Sequence, residues 1–315
     1  MAKWAAFWAV GLIWGSSFLL ISVAVKELTP FQVVFIRTGI AALGLNVVLA
    51  FRGMHLPFKL RDLLPLIVIG IGNTSLPFAL ISWGEKSIPS SLAGVLQSTA
   101  VFFTMIVAHF AMNDERISLQ KIAGITLGFV GVSILATRSV AEEGQITPEF
   151  VGALAVVGAS LCYAIFTVYS RQQIKDRFPP IMVSAGAMTF AALSSGIAIV
   201  VSPLLGGPVA TDLATLSRDA LGAILLLGGL NTFVAYLMYY WMVRELGAAR
   251  SSMVTYITPV VSVVLGALIL SEPIDGRLIF GAALIFSGIA VVNLRAFRWI
   301  NQVARTGTAG RTGVT

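Results

Sequence analysis

The chain has 315 residues, 57% of them hydrophobic and 11% charged, with a formal net charge of +7. Its strongly positive mean hydropathy lies outside the range of an ordinary soluble domain and marks a polytopic membrane protein. A single cysteine, Cys162, sits in an apolar run, so a disulfide framework and a cysteine-based metal site are excluded and a small packing residue is expected.

Apolar runs of about 20 residues match a hydrocarbon core of roughly 30 Å at 1.5 Å per helical residue. Ten are expected, over 4–25, 30–51, 62–83, 88–111, 117–137, 149–170, 180–201, 219–242, 247–270 and 276–297. The first is preceded by Lys3 and carries a Ser22-Val23-Ala24 stretch like a cleavage site, but its length predicts a retained span rather than a signal peptide. The links are short and hold the Pro, Gly and charged residues. The polar tail from residue 299 to 315 is expected to be disordered and cytoplasmic.

The basic residues segregate by side rather than forming a nucleic-acid patch. Fifteen of the 21 Lys and Arg fall at the N-terminus, in the links after even-numbered spans and in the tail, Arg138 and Lys175 being assigned to opposite sides. The positive-inside rule then places both termini in the cytoplasm.

The chain also writes one segment twice. ERISLQKIAGITLGFVGVSI begins at Glu115 and EPIDGRLIFGAALIFSGIAV at Glu272, with seven identities in twenty positions, among them Gly124 with Gly281 and Gly131 with Gly288. Weaker echoes pair Gly70, Asn73 and Thr74 of span 3 with Gly228, Asn231 and Thr232 of span 8. Two five-span repeats result, 1–140 and 145–298, and because five is odd they are expected to be inverted, with a pseudo-two-fold axis and a midplane site open to either side in turn. Glycines seven residues apart lie on one helix face, so spans 5 and 10 are expected to be close-packed scaffold helices. Glu115 and Glu272 are expected to stabilise the positive ends of those same helices.

Polar side chains at membrane depth need a partner or water. The expected cavity set is Trp14, Ser17, Asn73, Phe78, Gln97, Thr99, Tyr163, Asn231, Thr255 and Tyr256, with Asn73, Gln97, Asn231 and Thr255 binding polar groups and the aromatics forming walls. Helix-to-helix hydrogen bonding is the plainer role for any single Ser or Thr. Pro77 and Pro259 each free a helical carbonyl and are candidate hinges. Arg37, the one basic residue well inside a span, is a candidate counter-charge for a carboxylate, with snorkelling as its alternative. His109 is a candidate for proton coupling. Apart from Asp62, Glu149 and Asp219 at the first positions of their spans, no Asp or Glu falls inside the ten expected spans, so a buried carboxylate is expected to be missing.

With IWGSSF from Ile13, TPFQVVFIR ending at Arg37, and the two Glu-x-Ile segments with their glycines, the chain resembles the drug/metabolite transporter superfamily, in its ten-helix EamA-type branch. Within that branch it is similar to YddG-type amino-acid exporters. The resemblance implies export of amino acids, aromatic and apolar ones included, and of related amphipathic metabolites by alternating access across a bacterial inner membrane. It implies no cofactor and no catalysis, and as partners only small-molecule substrates and membrane lipid, with no nucleic acid and no particular oligomer. Against that stand an exporter of drugs or quaternary cations and, from another class, a membrane receptor or assembly factor without transport. An intramembrane enzyme would need a Ser/His, paired-Asp or metal-ligand cluster that the spans do not supply.

Overall fold

The computed structural model describes residues 2–113, 115–137, 146–174 and 177–309, with side chains described through Asn293 except at 248 and 249. Expectations placed on Arg138, Lys175 and residues 310–315, and on the side chains of Arg295, Arg298 and Arg305, lie outside the described residues.

Among the described residues ten helices are long and apolar enough to cross a membrane: α1 (Ala2–Ala24), α2 (Pro30–Phe51), α3 (Leu60–Gly84), α4 (Ser90–Ala111), α5 (Leu119–Ala136), α6 (Pro148–Gln173), α7 (Pro180–Leu204), α8 (Arg218–Leu246), α9 (Arg250–Ile269) and α10 (Gly276–Asn293). The helix begun at Gly276 runs on to Ala309. The chain is therefore an all-helical multi-pass membrane protein.

Local chemistry sets the helix starts. Thr29 and Gln32 form a reciprocal capping box ahead of Pro30, Thr147 caps α6 ahead of Pro148, and Ser217 caps α8; each satisfies backbone N–H groups that have no partner within the helix. At the end of α2, Gly53 takes a φ of +67°, a turn conformation that costs glycine little.

Packing follows a pattern. The most extensive contacts join α5 with α10 and α2 with α7; these two pairs and α4–α9 each join helices five apart in number, and three further pairs match when five is added to each number: α3–α6 with α8–α1, α4–α6 with α9–α1, and α3–α7 with α8–α2. In the α5–α10 pair a Cβ on Gly131 would stand 2.7 Å from the Gly281 carbonyl, and one on Gly124 2.6 Å from that of Gly288. The two glycine pairs thus face each other and bring the backbones into contact. Apolar side chains pointing away from the bundle, such as Leu43, Leu193, Ile197, Val200, Leu268 and Phe280, are exposed, as a surface in contact with lipid tails permits.

Four helices are not regular throughout. α3 is interrupted by a π segment at Gly70–Ser75 and α8 by one at Gly229–Val234. α4 breaks at Ser98 and Thr99 between two helical pieces, and α9 passes through a 3₁₀ turn at Met253–Tyr256. Pro77 and Pro259 stand just after the α3 and α9 irregularities, at the first turns of the following helical pieces, where a missing N–H is tolerated.

The link residues tie the ends together on both faces. On the face opposite the N-terminus, Gln32 Nε2 donates to the Thr211 carbonyl at 2.7 Å, and Glu27 accepts from the Ser217 backbone at 2.8 Å and from its hydroxyl. On the N-terminal face, Arg171 pairs with Glu115 at 2.9 Å and Arg177 with Asp62.

Two expectations about carboxylates are corrected here. Glu115 lies before the first turn of α5 and pairs with side chains, Arg171 and, at 3.7 Å, Lys121 of that turn, because two cations offer stronger partners than the helix-end amides. Glu272 does not serve α10 either. Its two oxygens accept from Ser90 N at 2.7 Å and Ser91 N at 2.9 Å, so it caps α4 across the bundle, while Asp275 Oδ1 accepts from Leu278 N at the start of α10.

Candidate functional site

A cavity of about 320 Å³ lies in the bundle centre, lined from α1, α2, α3, α4, α6, α8 and α9, with no lining from α5, α7 or α10. Its end toward the face opposite the N-terminus is sealed by Ile21 and Ile81, both buried, whereas Thr255, nearer the N-terminal face, is exposed.

Of the residues expected from sequence, Trp14, Ser17, Arg37, Phe78, Gln97, Tyr163, Thr255, Tyr256 and Pro259 line this cavity. Their convergence follows from geometry: Trp14 and Ser17 are nearly one turn apart on α1, and the irregularities in α4 and α9 place Gln97, Thr255 and Tyr256 beside the breaks. Tyr236 also lines it. The signal for Tyr236 was available, since it lies five residues after Asn231 on a helix already marked as polar at the midplane.

Asn73, Thr99 and Asn231 are not among the lining residues. Thr99 is fully buried, and its hydroxyl donates to the Leu96 carbonyl at 2.7 Å. Asn231 braces α8 against α1: its amide donates to the Ile13 carbonyl and lies 2.9 Å from Ser16 Oγ and 3.1 Å from Ser17 Oγ. Asn73 has its Oδ1 buried with no hydrogen-bond partner among the described residues. The π segments rotate these two asparagines behind the wall, which a uniform 3.6-residue period does not reveal. Pro77 is buried and His109 half-buried, and neither lines the cavity. The His109 ring instead accepts from Ile117 N at 3.3 Å, in the link between α4 and α5.

Arg37 is the distinctive group. It is 6% exposed, which removes snorkelling as its explanation. Its Nε donates to Thr232 Oγ1 at 2.8 Å, and its guanidinium carbon stands 4.0 Å above the centre of the Phe78 ring. Thr232 in turn donates to the Leu227 carbonyl at 2.7 Å, a bond that spans the π segment of α8. Among the described residues no carboxylate comes within ion-pairing distance of Arg37, and no hydrogen bond uses its two terminal amino groups. Across the cavity lining lies Gln97, whose Oε1 is buried without a partner. The site thus combines a buried cation, an unmet acceptor and walls from Trp14, Phe78, Tyr163, Tyr236 and Tyr256; Trp14 is itself held by Tyr239 at 5.2 Å and Tyr236 at 6.1 Å between ring centres. No group of three or more potential metal ligands occurs among the described residues.

Comparison with known proteins agrees with this architecture. The model of the EamA-like transporter family matches twice, at residues 3–137 and 150–294. An uncharacterized transporter of Archaeoglobus fulgidus is 28% identical over 93% of this chain and 99% of its own length. The Escherichia coli inner membrane transporter YedA is 26% identical over 83% of this chain and 80% of its own. A probable amino-acid metabolite efflux pump of Escherichia coli is 25% identical over 93% and 95%. A crystal structure 22% identical in sequence superposes with a TM-score of 0.63 over 95% of this chain and 98% of that one, a likeness of fold. The chain belongs to the EamA-like transporter family.

Proposed function

We propose that the protein exports amino acids and related small amphipathic metabolites, aromatic and apolar ones included, across a bacterial inner membrane by alternating access, with both termini in the cytoplasm. The observation that carries this is Arg37: a buried guanidinium facing a cavity, with no carboxylate among the described residues within ion-pairing distance. A buried charge of this kind is costly unless a partner arrives, and a carboxylate-bearing ligand supplies one in bidentate geometry. The unmet Gln97 Oε1 suits an ammonium donor on the same ligand, and the aromatic walls suit its apolar part. A volume of about 320 Å³ is at the low end of ligand pockets, roughly 300–1,000 Å³, and fits one small molecule better than a bulky drug. A quaternary cation meets repulsion from Arg37.

The mechanism we infer is rocking of two inverted halves, residues 1–140 and 145–298, about the midplane. Three features support it: the family match occurs twice, five spans fall in each match, and the helix pairs map onto one another when five is added. Irregularities in α3, α4, α8 and α9 supply bending points next to the cavity, with Pro77 and Pro259 as hinges.

The test is flux in proteoliposomes of purified protein, with a panel of amino acids, their carboxyl amides and cationic dyes. Amino acids are expected to be carried and their amides not. Arg37→Ala is expected to lower transport of carboxylate-bearing substrates by about 100-fold, equal to about 2.7 kcal/mol, while circular dichroism and insertion stay native. Equal transport by the variant sinks the role of Arg37, and absence of flux for every compound favours the receptor reading.

A further inference from the structure

One buried ionisable group stands outside the cavity chemistry. Glu85 follows α3 directly, lies one helical turn beyond Ile81 at the sealed end, and is 5% exposed, with both carboxylate oxygens buried and without a hydrogen-bond partner among the described residues. It corrects the expectation that no buried carboxylate exists: it falls just past the expected third span, and sequence hydropathy treats it as part of a link. The hydroxyls of Ser82, Ser90 and Ser91 nearby in the chain are buried and unpartnered as well. Ser90 and Ser91 are the residues whose backbone N–H groups Glu272 caps, so the unmet groups gather where the α3–α4 link meets the α9–α10 link.

We propose that Glu85 is a proton-binding site that couples protonation to closure of the cavity at the face opposite the N-terminus. The proposal rests on the alternating-access reading for its second half, the opening of that end. An ionised carboxylate shut off from solvent and without a well-formed hydrogen bond is heavily penalised, and a neutral one is not. Burial pushes the Glu85 carboxyl well above the usual carboxylate range; the negative charge of Glu272 adds to this, and Arg37 and the Ser22 backbone oppose it. The charged groups facing it are therefore Glu272 from the α9–α10 link and Arg37 from α2, while neighbouring Lys86 is exposed. The sealed conformation holds the proton. Opening hydrates Glu85, returns it toward its ordinary affinity and releases the proton. By linkage, the sealed state is favoured below the raised value and loses that advantage as pH rises through it, starting from the ordinary carboxylate range. A substrate carboxylate on Arg37 removes the one opposing charge, which tightens the hold on the proton.

The experiment uses the full chain with Cys162→Ala and spin labels at Lys86→Cys and Arg277→Cys, both exposed on the face in question. In proteoliposomes the label separation is measured from about pH 5 to about pH 8.5, without substrate. The open fraction is expected to rise with pH by up to about tenfold per unit, the limit for one proton, and Glu85→Gln, permanently neutral, is expected to hold the sealed distribution throughout. A pH response surviving in Glu85→Gln overturns the proposal, as does an unchanging separation in the parent. Infrared spectra of the unlabelled natural chain give an independent readout that needs no folded variant: a protonated carboxyl band at neutral pH is expected, and its absence overturns the site itself. A band present while the separation never changes leaves Glu85 protonated but uncoupled, and so overturns the coupling. Substrate flux enters neither measurement, so failure here is separable from failure of the amino-acid assignment.

Discussion

The pair α5–α10 and the pair α3–α8 both carry matched sequence in the two halves, yet they do opposite work. α5 and α10 repeat most plainly, seven identities in twenty, and form an extensive contact in which glycines meet carbonyls; neither lines the cavity. α3 and α8 repeat weakly, and each places a π segment at the matched position, Gly70–Ser75 and Gly229–Val234. A regular helix held against its neighbour by close backbone contact at two levels resists bending. A helix with a π segment has already exchanged part of its i→i−4 ladder for a local rotation, a device frequent at functional sites. Strong repetition therefore marks the scaffold, and repeated irregularity marks the cavity.

The largest expected effect tests the scaffold side. Gly131→Leu drives a side chain against the Gly281 carbonyl, 2.7 Å from the position of its Cβ, and backbone cannot move aside cheaply. A loss of about 3 kcal/mol is expected, read as a lower unfolding temperature in detergent, with Gly39→Leu, which meets nothing within 4 Å, as the neutral control. Equal stability of the two variants breaks the claim that the glycine pairs set the α5–α10 distance. The next effect is smaller and separates the matched asparagines. Asn231→Leu removes the brace to Ile13, Ser16 and Ser17 behind the cavity wall, and is expected to lower transport about tenfold, or about 1.4 kcal/mol. Asn73→Leu removes an oxygen that already lacks a partner, so a change within about 0.5 kcal/mol is expected. Equivalent losses at the two positions restore the symmetric roles that sequence pairing suggests.

Span number and the glycine faces of α5 and α10 were legible because they rest on hydropathy and on residue type at helical spacing; that these two helices pack on each other was not. Residue type at membrane depth singles out Trp14, Ser17, Arg37, Phe78, Gln97, Tyr163, Thr255 and Tyr256, which line one cavity; their role toward a substrate is a proposal. What sequence misplaced lies where the period changes or where a link folds inward. Asn73 and Asn231 turn away because a π segment shifts the phase, and Thr99 turns to its own helix at a break. Glu85 escaped notice because burial of a link residue depends on which other link covers it, here the one carrying Glu272, 187 positions away in sequence. Long-range caps have the same character: nothing near Glu272 announces that it serves Ser90 and Ser91.

The smallest effect concerns the far end of α8. Glu27, half-exposed in the link after α1, accepts from both the backbone and the hydroxyl of Ser217, and these two bonds, side-chain first, hold its carboxyl below the ordinary value. A lowered carboxylate value contributes stability that is present above the ordinary range and is lost as pH falls through the lowered value. Because the pair is solvent-exposed, the effect belongs to the first turn of α8 and not to the fold. Hydrogen exchange at the first-turn amides of α8, taken as the ratio between Glu27→Ala and the natural chain, is expected to exceed one at neutral pH and to converge on one at acid pH. A ratio of one at every pH shows that Ser217 caps α8 unaided, and that the irregular helix needs no anchor at this end. A ratio that stays high in acid shows instead that the tie survives protonation through its neutral hydrogen bonds.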